Sequence, residues 1–352
     1  MPMVASVQLK TLGGFPSKMN IFRMGQFALV VFTGLAILVG CDTNESVPSR
    51  QPMTQIAPAT AATEKAHADH RTSWMALGAN KDDLLYVSDQ GSRDVYIFSY
   101  PQGALVGTLT GFVNPRGECV DRTGNVWIVD LGSGPIASVL KYAHGGTSPI
   151  RAIKIKNEYP YGCSVDHTTG NLAVTYFSDS YGSTQGAVEV YEHAKAHQIR
   201  RYVDPNIYHY VLCDYDNQGN LYVDGFNGGS AFEFAEIPSG SSSFTNITLN
   251  QGIEAPGGVQ WDGKYVAVGD LDNNVIYQFT ISGSQGNKVG STPLNGGSYV
   301  EQFWIQGLDH RVIGPSNGNA SVMFWKYPAG GKPAKTITGF TYPFGSVISK
   351  GR

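Results

Sequence analysis

The chain has 352 residues, of which 25 are basic and 28 acidic. That near-balance gives no long-range positive field and excludes nucleic acid as a natural partner. Only 15% of residues are charged, while Gly reaches 43 and Tyr 19. This composition suits short strands joined by tight turns and excludes a mainly helical bundle.

The first forty residues read as an address. Phe27 to Val39 is an apolar run of thirteen residues following Arg23. A spanning helix needs about twenty residues, so this run fits the hydrophobic core of a secretory signal. It ends in Leu38-Val39-Gly40-Cys41. This resembles the bacterial lipobox, and the resemblance implies a diacylglycerol thioether on Cys41, which becomes the mature N-terminus. Met1, Met19 and Met24 each offer a start, and Met19 leaves the compact leader Asn-Ile-Phe-Arg-Met before the apolar run. Asp42 follows the lipidation position and leaves inner and outer membrane both open. Residues 1–40 carry Lys10, Lys18 and Arg23 and no acid, so their removal takes the formal charge from −3 to −6.

Residues 42–72 are rich in Ala, Thr, Pro, Ser and Gln without apolar periodicity. They are expected to form a disordered tether between the anchored Cys41 and a folded domain over residues 73–352.

From Leu84 the chain repeats. Short β-rich runs begin near 84, 126, 172, 221, 265 and 311, at intervals of 42, 46, 49, 44 and 46 residues. Four-stranded propeller blades have this period. Each run, such as Val126-Trp127-Ile128-Val129-Asp130, leads through a Gly/Asn/Ser turn into a second alternating strand and a weaker third. A Pro/Gly-marked strand then follows, as in Pro115-Arg116-Gly117-Glu118-Cys119-Val120-Asp121 with Gly124-Asn125. The expected fold is all-β: a six-bladed β-propeller of four-stranded antiparallel blades. Pro343 to Ser349 matches the Pro/Gly-marked strand and is expected to complete the first blade. Trp74 to Ala79 is a rival for that place.

The pattern Pro-x-Gly-x-x-Val-Asp, Gly-Asn, apolar-Tyr-Val-x-Asp looks like NHL-type propeller repeats over about residues 84–350. It also resembles the wider lactonase and gluconolactonase propellers. The resemblance implies a ligand site on the loops at one end of the channel. For a metal-dependent lactonase it implies carboxylate and Asn ligands for Ca²⁺ or Zn²⁺. The Glu-Gly-Pro-type ligand strand of the gluconolactonase-like family has only a loose counterpart in Arg116-Gly117-Glu118.

The loops at one channel end are rich in Tyr, Arg and acids, a chemistry suited to binding. Asp89, Asp130, Asp224 and Asp270 recur at one repeat position and are expected to fix turns through backbone N–H groups. The non-repeating Arg116, Glu118, Tyr161, His209 and Glu301 are the candidate ligand-binding residues. No catalytic residue is assigned and no cofactor is expected. Glu192, His193 and His197 fall at a turn, where their spacing loses its helical zinc-site meaning. After Cys41, the odd set Cys119, Cys163 and Cys213 is read as small buried hydrophobes.

The sequence is compatible with two functions. The first is a non-catalytic, lipid-anchored module of the bacterial cell envelope that binds an envelope protein, peptide or glycan. The second is a divalent-metal hydrolase or lactonase at the channel mouth.

Overall fold

The computed structural model describes residues 72–351, apart from 180, 181, 183 and 196. The leader, Cys41 and nearly all of the tether lie outside the described residues. The β-rich runs pair into six antiparallel sheets, arranged as the blades of a propeller. Blade 1 contains Leu84–Asp89, Asp94–Ser99 and Leu105–Leu109 and is completed by Pro343–Ser349. Blade 2 runs from Pro115 to Lys156, blade 3 from Glu158 to Tyr202 and blade 4 from His209 to Asn246. Blade 5 runs from Pro256 to Pro293 and blade 6 from Trp304 to Thr338.

The rivalry for the first blade resolves in favour of the C-terminal strand. Leu84 pairs with Ser349 and Asp89 with Pro343, so the last strand takes the innermost place. Trp74–Met75 instead adds a short fifth strand at the outer edge, opposite Thr108 and Gly107. Blade 5 gains a similar edge from Thr248–Leu249, paired parallel to Gln285 and Gly286. Closing the ring with chain from both ends gives each blade two neighbours and leaves only short outer edges.

The core lies between blades. Alternating side chains of each sheet interleave with those of the next, as where Tyr86, Ile97 and Val347 of blade 1 meet Val126, Ile128 and Tyr142 of blade 2. Trp127 and Trp325 are fully buried in two such layers. Each inner strand begins at one end of the channel, called the mouth here, and finishes at the other, the base. At the mouth, the repeated Asp residues accept backbone N–H bonds. Asp89 takes Tyr342 N–H at 2.7 Å and Thr341 N–H at 2.8 Å. Asp130 takes Asn114 N–H at 2.7 Å and Val113 N–H at 3.1 Å. At the base, Asp121 and Asp216 each close a Gly-Asn turn through the N–H groups two and four residues on.

The cysteine expectation needs correction. Cys119 and Cys163 form a disulfide between the inner strands of blades 2 and 3, with Cα atoms 5.7 Å apart. Cys213 is a buried free thiol.

Candidate functional site

The inner strands of blades 1, 2 and 3 bring their first residues together at the mouth. Gly117 lies so close to Gly162, and Gly345 to the Arg116 carbonyl, that a Cβ at either glycine would stand 2.7–2.8 Å from neighbouring backbone. This close approach of backbones gathers Arg116, Tyr161 and Phe344 into one cluster. The Arg116 guanidinium lies 4.9 Å from the ring centres of Tyr159 and Tyr161 and 5.3 Å from that of Phe344. Its Nη2 donates to the Tyr159 hydroxyl at 2.6 Å. Three rings around one cation hold the guanidinium in place without neutralising it.

The aromatic array continues across blades 3 and 4. Tyr161 stacks on Phe177 at 5.6 Å, and Phe177 stacks on His209 at 4.1 Å with planes 10° apart. His209 Nδ1 lies 2.7 Å from the Phe177 carbonyl. A carbonyl only accepts, so Nδ1 carries a proton in this contact. Glu301 is buried, and burial raises its carboxyl to about 7, while the nearby Arg116 charge pulls it down. Burial likewise lifts the Tyr161 hydroxyl well above the ordinary range, with Glu301 adding to the effect. Tyr299 and Tyr342 stand exposed on the loops leading into the inner strands of blades 6 and 1.

Four of the five candidates therefore gather at the mouth: Arg116, Tyr161 and His209 by ring contact, Glu301 by charge. Glu118 does not. Two residues along the strand from Arg116, it pairs opposite Ile128 and shares the Ile128 face, toward blade 1. It is fully buried, both carboxylate oxygens lack a hydrogen-bond partner, and burial raises its carboxyl well above the ordinary value. Such a group is held as the neutral acid. Asp224 also departs from its repeat. It accepts Leu212 N–H at 2.8 Å through one oxygen, the other has no partner, and burial raises its carboxyl strongly.

Among the described residues, no three His, Cys, Asp or Glu side chains lie close enough to hold one ion. Glu192, His193 and Ala194 form a single 3₁₀ turn in which His193 has φ 44°, so the sequence spacing there is not helical.

Sequence reasoning missed Phe177, which links the two halves of the aromatic array from an outgoing strand. It also missed a cavity at the base. This cavity, of about 190 Å³, is lined by the later residues of five inner strands, among them Asp214, Tyr215, Trp261 and Trp304.

No protein-family model matches the sequence, and no curated protein matches it. Solved structures do. A chain of a nidogen/laminin complex matches with TM-score 0.61 and 14% identity, over 77% of this chain and 99% of that one. A protein of unknown function from Bacteroides caccae matches with TM-score 0.57 and 11% identity, over 76% of this chain and 99% of that one. Hydrazine synthase from Kuenenia stuttgartiensis matches with TM-score 0.52 and 17% identity, over 72% of this chain and 75% of that one. Likeness at such identities establishes the architecture, and on that ground the chain is a six-bladed β-propeller.

Proposed function

We propose that this chain is an exported, lipid-anchored propeller of the bacterial cell envelope whose mouth face binds a protein partner. The observation that carries the binding role is the rigid aromatic array around Arg116, flanked by exposed Tyr299 and Tyr342. Arg and Tyr held in fixed positions lose little freedom on binding, and these residue types dominate interface energetics. A similar propeller occurs in a nidogen/laminin complex, which supports a protein as the partner class. The lipobox-like Leu38-Val39-Gly40-Cys41 supports export and anchoring at Cys41. The Cys119–Cys163 disulfide independently supports an oxidising compartment.

The binding role is tested by crosslinking and affinity capture from the envelope of the producing bacterium. Wild type is compared with a variant carrying Arg116→Ala, Tyr299→Ala and Tyr342→Ala. A protein captured by wild type and lost in the folded variant supports the reading. Equal capture by both, or capture of glycan alone, overturns it. Anchoring is tested by the mass of the mature N-terminus, which carries diacylglycerol in wild type and none in Cys41→Ala.

A further inference from the structure

The mouth and base of the channel share one design with one part exchanged. At the mouth, aromatic rings surround a cation that the chain itself supplies, Arg116. At the base, Tyr215, Trp261 and Trp304 line a cavity of about 190 Å³ together with the carboxylate of Asp214, and no Lys or Arg lines it. We propose that the base cavity is a binding site for a small organic ammonium ion.

Asp214 is built into the wall. The Ser164 hydroxyl donates to its Oδ1 at 2.7 Å, and Trp261 N–H donates to its Oδ2 at 2.9 Å. These bonds fix the carboxylate and leave each oxygen further acceptor capacity. Burial lifts the Asp214 carboxyl to about 6, so it is charged in mildly alkaline solution. Glu118, which also lines the cavity, is held neutral by burial. Gln260 and Gln302 use their amides on Ile305 and on the Glu118 backbone, so they offer little to a ligand.

The chemistry of the lining narrows the ligand class. Trp261 and Trp304 are half-buried, but their indole Nε1 atoms are fully buried. The accessible part of each ring is therefore carbon, which offers a polyol no hydrogen-bond donor, whereas an uncovered indole face attracts a cation through the ring quadrupole. A carboxylate among such carbon surfaces favours a soft, weakly hydrated ammonium over a compact inorganic ion. The single basic group on the lining is His167, exposed at the rim, whose Nε2 lies 3.3 Å from the Val120 carbonyl.

The test uses the full chain in detergent at pH 8, with tetramethylammonium chloride as probe and sodium chloride at matched ionic strength as control. Binding is read by tryptophan fluorescence and by saturation-transfer NMR on the probe methyl groups. Wild type is expected to bind saturably, with sodium giving no such change. Asp214→Asn retains hydrogen-bonding groups for Ser164 and Trp261 and is expected to weaken binding at least ten-fold. His167→Lys changes an exposed residue, brings a resident cation to the rim and is expected to weaken binding several-fold. A cavity that holds only water gives no saturable signal in wild type, and that result overturns the proposal. Equal binding by wild type and both folded variants, or an identical response to sodium, also overturns it.

Discussion

The two ends of the channel are built from the same repeat yet differ in what they leave unspent. At both, repeated Asp residues are consumed by backbone N–H groups, Asp89 and Asp130 at the mouth and Asp121 and Asp216 at the base. Distinctive chemistry comes only from residues that break the repeat. The mouth is filled by a caged guanidinium, whereas the base keeps an open cavity beside a fixed carboxylate. In this fold, repetition marks structure and departure from repetition marks the candidate sites.

The largest test of this division removes the covalent link near the base. The Cys119–Cys163 bond closes a loop with a sequence separation of 44. The chain-entropy relation puts its contribution at about 4 kcal/mol. Cys119→Ser with Cys163→Ser is expected to lose up to that amount in chemical denaturation while the Arg116 array stays formed. A loss of the mouth's near-ultraviolet dichroism at the same denaturant concentration in the native baseline would join the two ends into one unit.

Next in size is the clamp at the mouth. Asp89 accepts three backbone N–H bonds, from Gly91, Thr341 and Tyr342, and so fastens the loop before the closing strand. Asp89→Ala leaves these donors unpaired and is expected to cost about 3 kcal/mol. Asp224→Asn, at the same repeat position, is expected to cost less and to gain on wild type as pH rises. It replaces a carboxylate with one partnerless oxygen and a strongly raised pKa. Equal costs for the two would show that the repeated Asp is uniform after all.

The six-blade architecture and the closing strand were legible because Gly, Asn and Asp punctuate the repeat at fixed offsets. The disulfide was not, although its signal lay in those offsets. Cys119 pairs with Trp127, the second residue of its outgoing strand, while Cys163 pairs with Val174, the third. Adjacent strand positions point to opposite faces. Cys119 therefore looks forward to blade 3 and Cys163 back to blade 2, so the difference in offset is what permits the bond. Cys213 pairs with Val223, again the third residue, and faces back into the blade 3 layer. The same parity places Glu118 in the blade 1 interface rather than at the mouth. The base cavity stayed hidden because Trp is ordinarily a core-filling residue, and the sequence does not show which atoms of Trp261 and Trp304 the fold covers.

Glu118 offers a smaller, pH-dependent test. Its folded carboxyl is raised by burial, so the folded state holds a proton that the unfolded chain releases. Its stabilising share is full below the ordinary Glu pKa and is lost as pH climbs toward the folded value. Glu118→Gln removes that loss. Its advantage over wild type is expected to start near pH 4.5 and grow by about 1.4 kcal/mol per pH unit. Denaturation of both proteins from pH 4 to 8 measures it, and a flat difference would mean that the carboxyl ionises freely in the fold.

Glu301 separates the buried acid beside a cation from the one without. Its folded carboxyl is raised to about 7, with burial opposed by Arg116. The sign of the linkage is the same as for Glu118, but the window closes: stability is lost between about pH 4.5 and about 7 and then levels. The advantage of Glu301→Gln over wild type should therefore plateau near neutrality, where that of Glu118→Gln still climbs. Arg116→Met withdraws the opposing charge and should carry the Glu301 plateau to higher pH, leaving the Glu118 slope unchanged. If Arg116→Met leaves the Glu301 plateau where it was, the guanidinium belongs to its three rings alone. The mouth then presents a cation without an acidic partner, and a partner protein would have to supply the carboxylate.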